Sequence, residues 1–411
     1  MQMMFRYEMK KVFSKRSSKI AILLLLVIVG ITCWFAMDVS FVNEYGETEK
    51  GFAAVRHLRE AQKEWAGILD EEKLRRVIEE NNRINATPEA NSNNLTDSEI
   101  VYSQKQGLNE IRSLLNKSYA EDFRSYDYYS ADSLNAEDVS VFYENRITLL
   151  KNWLSNDAKD QFSDKEKEYL IKQYESLETP FFYDYTKGWT QALEYSPTVI
   201  MLTMLILGFL VTGIFSNEFS WKADAIFFAA VYGRNKAVAA KIKAGFAIVT
   251  AVYWAVILLY SGVLLSYLGI DGAVCPIQVS FLGWKCFYSI QIWQAYLLTV
   301  MGGYIGCLFI SFLTMFLSAK TKSAVLAVML PFVLIFIPSF LGNIESPLVS
   351  KILGLLPDRL LQVSTAIIYF DLYEVGNKVI GAVPVLFVLY AVLAILLLPV
   401  TYQEYRHKQI N

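Results

Sequence analysis

The sequence predicts an all-α polytopic membrane protein. It has six transmembrane helices, an N-terminal interfacial helix, and a mostly helical extracytoplasmic domain between the first and second spans. Three observations predict it. Hydrophobic residues make up 54% of the 411 positions and gather in six runs, each long enough to cross a bilayer, which takes roughly 20 mostly apolar residues. No run carries Asp, Glu, Lys or Arg in its interior. Charge is segregated as well: residues 38–195 hold 31 acidic and 19 basic side chains, and the rest of the chain holds 9 and 19.

The first element is residues 1–19. Phe5, Met9, Val12 and Phe13 fall on one helical face, and Lys10, Lys11 and Lys15 fall away from it. That pattern suits a helix lying in the interface with its cations near anionic headgroups. Basic flanking of a span is the alternative. The first span follows at 20–37. It lacks an Ala-x-Ala-like end and five more runs follow, so it reads as a retained anchor and not a cleaved leader.

The domain over 38–195 reads as helical. Helical spacing relates Val55, Leu58, Trp65 and Leu69, then Leu108, Ile111 and Leu115, then Ile147, Leu150 and Leu154. Ser163 and Glu166 form a capping-box pattern opening a helix through Tyr174. The polar stretch Asn81–Ser98, with Pro88, reads as a loop. The aromatic residues of Tyr119–Tyr129 read as core, with a ligand platform as the alternative. Pro180–Trp189 is rich in aromatic side chains with polar tips, which suits a seat on the outer leaflet.

The transmembrane domain over 196–411 holds five runs: Ser196–Ser216, Ala244–Ile270, Phe287–Leu317, Ser323–Leu341 and Val379–Thr401. Phe287–Leu317 is too long for one perpendicular crossing and contains Gln291, Gln294, Gly302, Gly303 and Gly306. Such small residues let helices approach closely; a place on a translocation path is the alternative. Pro331 and Pro338 are expected to bend or break the next run. The moderately apolar segment 342–378 suits two short amphipathic or re-entrant helices under the outer surface. The four cysteines lie in or beside spans, and Cys275 with Cys286 leave a disulfide open.

Orientation follows the short loops. Arg6, Lys10, Lys11, Lys15, Arg16 and Lys19, the loop 217–243, Lys320 and Lys322, and Arg406 and Lys408 share one side. The short loops opposite hold only Lys285, Lys351, Arg359 and Lys378. Both termini are therefore expected in the cytoplasm.

Several chemistries have no motif here. There is no GxxxxGK[ST] phosphate cradle, no HExxH and no GxSxG. His57 and His407 are the only histidines, so a His-based zinc site is not expected. With no ionisable side chain inside a span, an ion-coupled relay is not expected either. Energy for any transport would have to come from another subunit.

The loop 217–243 is short, basic and amphipathic between two spans. It contains Glu218, Asp224, an apolar patch Ala225–Val231, then Tyr232, Gly233, Arg234, Asn235, Lys236 and Lys241. On these residues and the order of spans, the chain resembles the type-2 ATP-binding-cassette permeases, the membrane subunits of bacterial exporters, and especially Gram-positive members. A Thr often seen beside the Asp is absent; Ala223 and Ala225 flank Asp224. The resemblance covers the membrane part. It implies an N-terminal "elbow" helix, a coupling helix in the 218–232 region that enters a cleft on an ATPase subunit, and a re-entrant pair between spans five and six. Arg234, Lys236 and Lys241 would lie at headgroup level or pair with acids of that partner.

The implied function is the permease of an ATP-driven exporter in a bacterial plasma membrane, moving a peptide, lipid, drug or antibiotic. It is not itself an enzyme. ATP and Mg belong to the partner, and no cofactor is expected on this chain. A second copy or sister permease and membrane lipids are the other expected partners; nucleic acid is not. A membrane-anchored sensor or scaffold, its acidic outer domain binding a ligand, is the alternative.

Overall fold

A computed structural model describes residues 2–341 and 347–408. The part of the expected re-entrant segment at 342–346 lies outside the described residues. Among them, five helices are long and apolar enough to cross a membrane: Arg16–Ala36, Lys187–Ser220, Gly233–Leu268, Ile292–Thr321 and Ala382–Arg406. The chain is an all-helical, multi-pass membrane protein. The expected fifth span is a shorter apolar helix, so five and not the expected six are of crossing length among the described residues.

Helix α1 (Gln2–Phe13) breaks at Ser14 and Lys15 before α2 (Arg16–Ala36). The β-hairpin β1–β2 (Ser40–Val42, Thr48–Lys50) leads into α3 (Gly51–Lys63). Trp65 and Leu69 fall beyond this helix, because Gly67 takes a positive φ and strand β3 (Gly67–Ile68) begins there. Helix α4 (Glu71–Asn85) then runs into the stretch read as a loop. Asn81 is tolerated in that helix because its side chain is buried and bonded to Asp132 (2.9 Å) and Arg112 (3.0 Å). Helices α5 (Leu95–Lys105), α6 (Asn109–Ser118), α7 (Phe142–Ser155) and α8 (Asp164–Glu175) complete the domain. At α8 the capping box forms as read: Ser163 accepts from the Glu166 amide, and Glu166 accepts from the Ser163 amide.

Strand β4 (Phe182–Tyr183) pairs with β3 and hands the chain to α9 (Lys187–Ser220). Phe181, Tyr183 and Tyr185 are fully packed inside the protein. The aromatic segment before α9 therefore belongs largely to the core and not to a seat on lipid, although Phe182 is half-exposed. Trp189 Nε1 donates to Ile270 O at 2.9 Å, tying this segment to the far end of the third long helix.

The short helix α10 (Asp224–Ala229) and a wide turn at Gly233–Ala237 precede α11 (Val238–Leu268). Helix α12 (Ile292–Thr321) begins later than its apolar run, because Gln291 and Gln294 form a reciprocal cap. It is the centre of the bundle, packed along α9 and α17 (Ala382–Arg406). A Cβ on Gly303 would stand 2.7 Å from Ile200 and from Tyr253 Oη, so this glycine sets the closeness of three helices. The packing reading holds for that pair of glycines, since a Cβ on Gly302 would collide with Val363.

Helix α13 (Ala324–Leu341) runs through Pro331 and Pro338 without a break. Then come three short helices, α14 (Pro347–Leu353), α15 (Asp358–Leu361) and α16 (Val363–Ile368). The end of the segment read as re-entrant is instead a hairpin, β5 (Leu372–Val375) with β6 (Lys378–Gly381).

One continuous apolar core joins the bundle to the domain, from Leu25 and Val29 through Met204 and Tyr253 to Ile111 and Leu115. Asp271, just past α11, pairs with Arg59 and with Lys63 (2.6 Å) of α3. The domain is thus fastened to one end of the bundle. On the outside, α2 exposes Leu23, Val27, Ile31 and Trp34, and α17 exposes Val388, Val392 and Ile395. Apolar surface of this extent suits a hydrocarbon surrounding. All four cysteines are free and buried, Cys275 and Cys286 included.

Candidate functional site

The end of the bundle away from the domain carries the loop singled out in the sequence. Helix α9 ends because Lys222 turns left-handed, at φ 54°. The chain re-enters a helix at Asp224, presents α10, and turns sharply back at Gly233. A Cβ on Gly233 would collide with the Phe227 carbonyl oxygen, so only glycine lets the loop close here.

Two faces of this loop differ. Phe228 is buried against Phe219 and Tyr405, with Phe227 and Phe215 completing an aromatic cluster. The opposite face is open: Ile226 is 78% exposed and Val231 87%, with Trp221 and Tyr232 beside them. Asp224 is part-buried at the start of α10, and Asn235 and Lys236 are exposed. Lys236 Nζ stands 4.3 Å from the Tyr232 ring centroid.

Glu218 and Lys241 do not face outward. Lys241 is fully buried and donates to Glu218 Oε1 at 2.8 Å, to Glu8 Oε2 at 3.2 Å and to Ile214 O at 2.7 Å. Lys11 also donates to Glu218. Two carboxylates and two ammonium groups therefore neutralise one another and join α1, α9 and α11. A buried charge needs such pairing, since leaving one unpaired is costly. The expectation that Lys241 lies at headgroup level is corrected by this burial.

Arg234 is also turned inward. Its Nη1 donates to Arg406 O (2.8 Å) and Lys408 O (3.0 Å), and its guanidinium lies 4.9 Å from the Phe228 ring. It satisfies the last carbonyl of α17, which has no helical partner, and one just beyond the helix. Of the three cations expected to meet a partner, only Lys236 is exposed.

Sequence reasoning missed Glu8 and Tyr405. Glu8 had a signal: it is the single carboxylate in the first 37 residues. Tyr405 had none, being one aromatic residue among many. The apolar face of α1 packs against the protein, with Val12 buried and Phe5, Met9 and Phe13 part-buried, and Lys11, expected near headgroups, is paired with Glu218 instead. No cluster of His, Cys, Asp and Glu among the described residues suits a metal ion.

Comparison of the chain with protein-family models, curated proteins and solved structures gave no match.

Proposed function

We propose that this chain is the membrane-spanning permease subunit of an ATP-driven exporter, powered by a separate ATPase docked on α10. The observation that carries the reading is the loop at 217–243. It holds a short helix with an open apolar face, gripped on its other face by an aromatic cluster, between two long apolar helices. An exposed apolar patch on an otherwise packed loop is a usual mark of a protein contact.

The ion cluster supports force transfer. Push on α10 and the load passes through Glu218 and Lys241 into α9 and α11, and through Glu8 and Lys11 into α1. In this reading α1 is the elbow helix, both termini are cytoplasmic, and the membrane is a bacterial plasma membrane. Residues Asp224, Tyr232, Asn235 and Lys236 would line the contact, while Glu218, Gly233, Arg234 and Lys241 shape and hold the loop. A second permease copy would complete the assembly.

The test is co-purification of the detergent-solubilised chain with an ATP-hydrolysing subunit, from its native membrane. We expect an ATPase with the wild type and its loss in Ile226→Ser/Val231→Ser. Retention of the same ATPase by that variant contradicts the proposed docking face.

A further inference from the structure

At the opposite end of the bundle lies a cavity of about 1330 Å³. It is larger than the roughly 300–1,000 Å³ of ordinary small-molecule pockets. Its wall comes from the domain, from the loop between α11 and α12, and from the segment between α13 and α17.

Charge on this wall runs against the domain around it. The domain is acidic overall, yet the cavity is lined by Lys117, Arg124, Lys285, Lys351 and Arg359 against Asp160 and Asp371. Two of these cations have acidic neighbours: Lys351 pairs with Glu166 at 2.7 Å, and Arg359 lies 3.9 Å from Asp358. Lys117, Arg124 and Lys285 form no ion pair among the described residues. They rest on aromatic faces instead. Lys117 Nζ is 3.6 Å from the Phe281 centroid, Arg124 is 4.8 Å from Trp153, and Lys285 is 5.2 Å from Phe123. Lys117 also donates to Phe281 O.

The aromatic side of the wall is continuous. Phe123 stacks on Trp153 at 5.1 Å and on Phe370 at 5.8 Å. Burial, then the neighbouring charge of Lys285, pulls the Lys117 ammonium down to about 7. Lys117 and Lys285 repel each other across this wall; the Asp122 carboxylate offsets part of that at Lys285, while no carboxylate among the described residues does so at Lys117. An anion placed between them would lower that repulsion.

We propose that this cavity binds an anionic amphiphile, its phosphate or carboxylate held by Lys117, Arg124 and Lys285 and its apolar chain laid against Phe123, Trp153 and Phe370. The ligand is of small-molecule size, a lipid or a fatty-acid-like compound. The proposal rests on the cavity alone and does not require the transport reading.

The test uses the full chain in a neutral maltoside detergent, followed by native mass spectrometry with three probes: dioctanoylphosphatidylglycerol, dioctanoylphosphatidylcholine and decanoate. Saturable binding of one anionic probe is expected, with the choline lipid bound about tenfold more weakly or worse. Preference between phosphatidylglycerol and decanoate then tells phosphate from carboxylate. Lys117→Gln/Lys285→Gln is expected to weaken the anionic probe about tenfold or more, and Lys285→Arg to retain it. Arg124→Gln provides a separate reading should the double variant fail to fold, with the same direction of loss. Equal binding of the choline lipid overturns the proposal. So does undiminished anionic binding in a folded double variant, or in Arg124→Gln.

Discussion

Lys241 Nζ stands 2.8 Å from Glu218 Oε1, with the lysine fully buried, so the end of one long helix is bonded to the start of the next. Glu8 and Lys11 complete the neutral cluster. Lys241→Met leaves a carboxylate in excess. We expect it to cost about 3–5 kcal/mol, read as a fall in the thermal unfolding midpoint in detergent. Glu218→Met/Lys241→Met restores neutrality and is expected to cost less than the two single changes summed. A double variant as damaging as that sum would show that the pair does not act as a unit.

Arg112 is fully buried and donates to both oxygens of Asp132, at 2.9 and 3.0 Å, to Asn81 Oδ1 and to Tyr128 O. Burial acts to raise the Asp132 carboxyl, but hydrogen bonds from Asn81, Asn85 and Arg112 and the charge of Arg112 outweigh it and hold it below its ordinary value. A lowered carboxyl contributes stability above the unfolded-state value, about 3.9. That contribution is lost as pH falls through the folded value. Arg112→Met is expected to destabilise the domain by about 3 kcal/mol or more. It should also flatten the loss of stability as pH falls below about 4, as followed by tryptophan fluorescence.

Lys117 gives a pH slope of the same sign at higher pH, for a different reason: the fold penalises its charged form instead of favouring it. Its folded value of about 7 lies below the 10.5 of an unhindered lysine, so between those limits the unfolded chain holds the extra proton. Stability from this group therefore rises with pH across that window, and its cost is fully present below pH 7. From pH 6.5 to 9 the wild-type unfolding midpoint is expected to rise relative to Lys117→Met. A parallel pH profile for the two proteins would contradict the assignment.

Gly233→Ala tests how the loop closes. The new methyl group would meet the Phe227 carbonyl oxygen, so α10 must shift and Phe228 must leave its place against Tyr405. We expect near-native helix content by circular dichroism and faster proteolytic cleavage within 221–237. Cleavage at the wild-type rate would mean the loop accommodates the methyl group without repacking.

Periodicity made the long helices legible, and composition set the domain apart. The Ser163–Glu166 cap was legible because its chemistry is local. Length was not: α4 passes through Asn81 because Arg112 and Asp132, far along the chain, satisfy that amide. The burial of Lys241 was hidden for another reason. A lysine beside a span is already explained by topology, and only its distance to Glu8 and Glu218 reveals a second role. The β5–β6 hairpin did carry a signal that went unused: Gly376 and Asn377 between alternating side chains, with Gly376 at φ +63°. The cavity was legible only in part: Phe123 and Tyr126 lie in the aromatic stretch for which a ligand platform was the alternative, but the rest of its wall is drawn from separated segments from Lys117 to Tyr373.

The central claim is that the open face of α10 meets an ATPase. The most direct measurement is site-specific photo-crosslinking in native membranes, with a benzophenone side chain at Ile226 and, as a control, at the exposed Tyr45 of the domain. We predict a crosslink from position 226 to an ATP-hydrolysing subunit and none from position 45. No such crosslink from 226, or an ATPase captured from 45, would contradict the account.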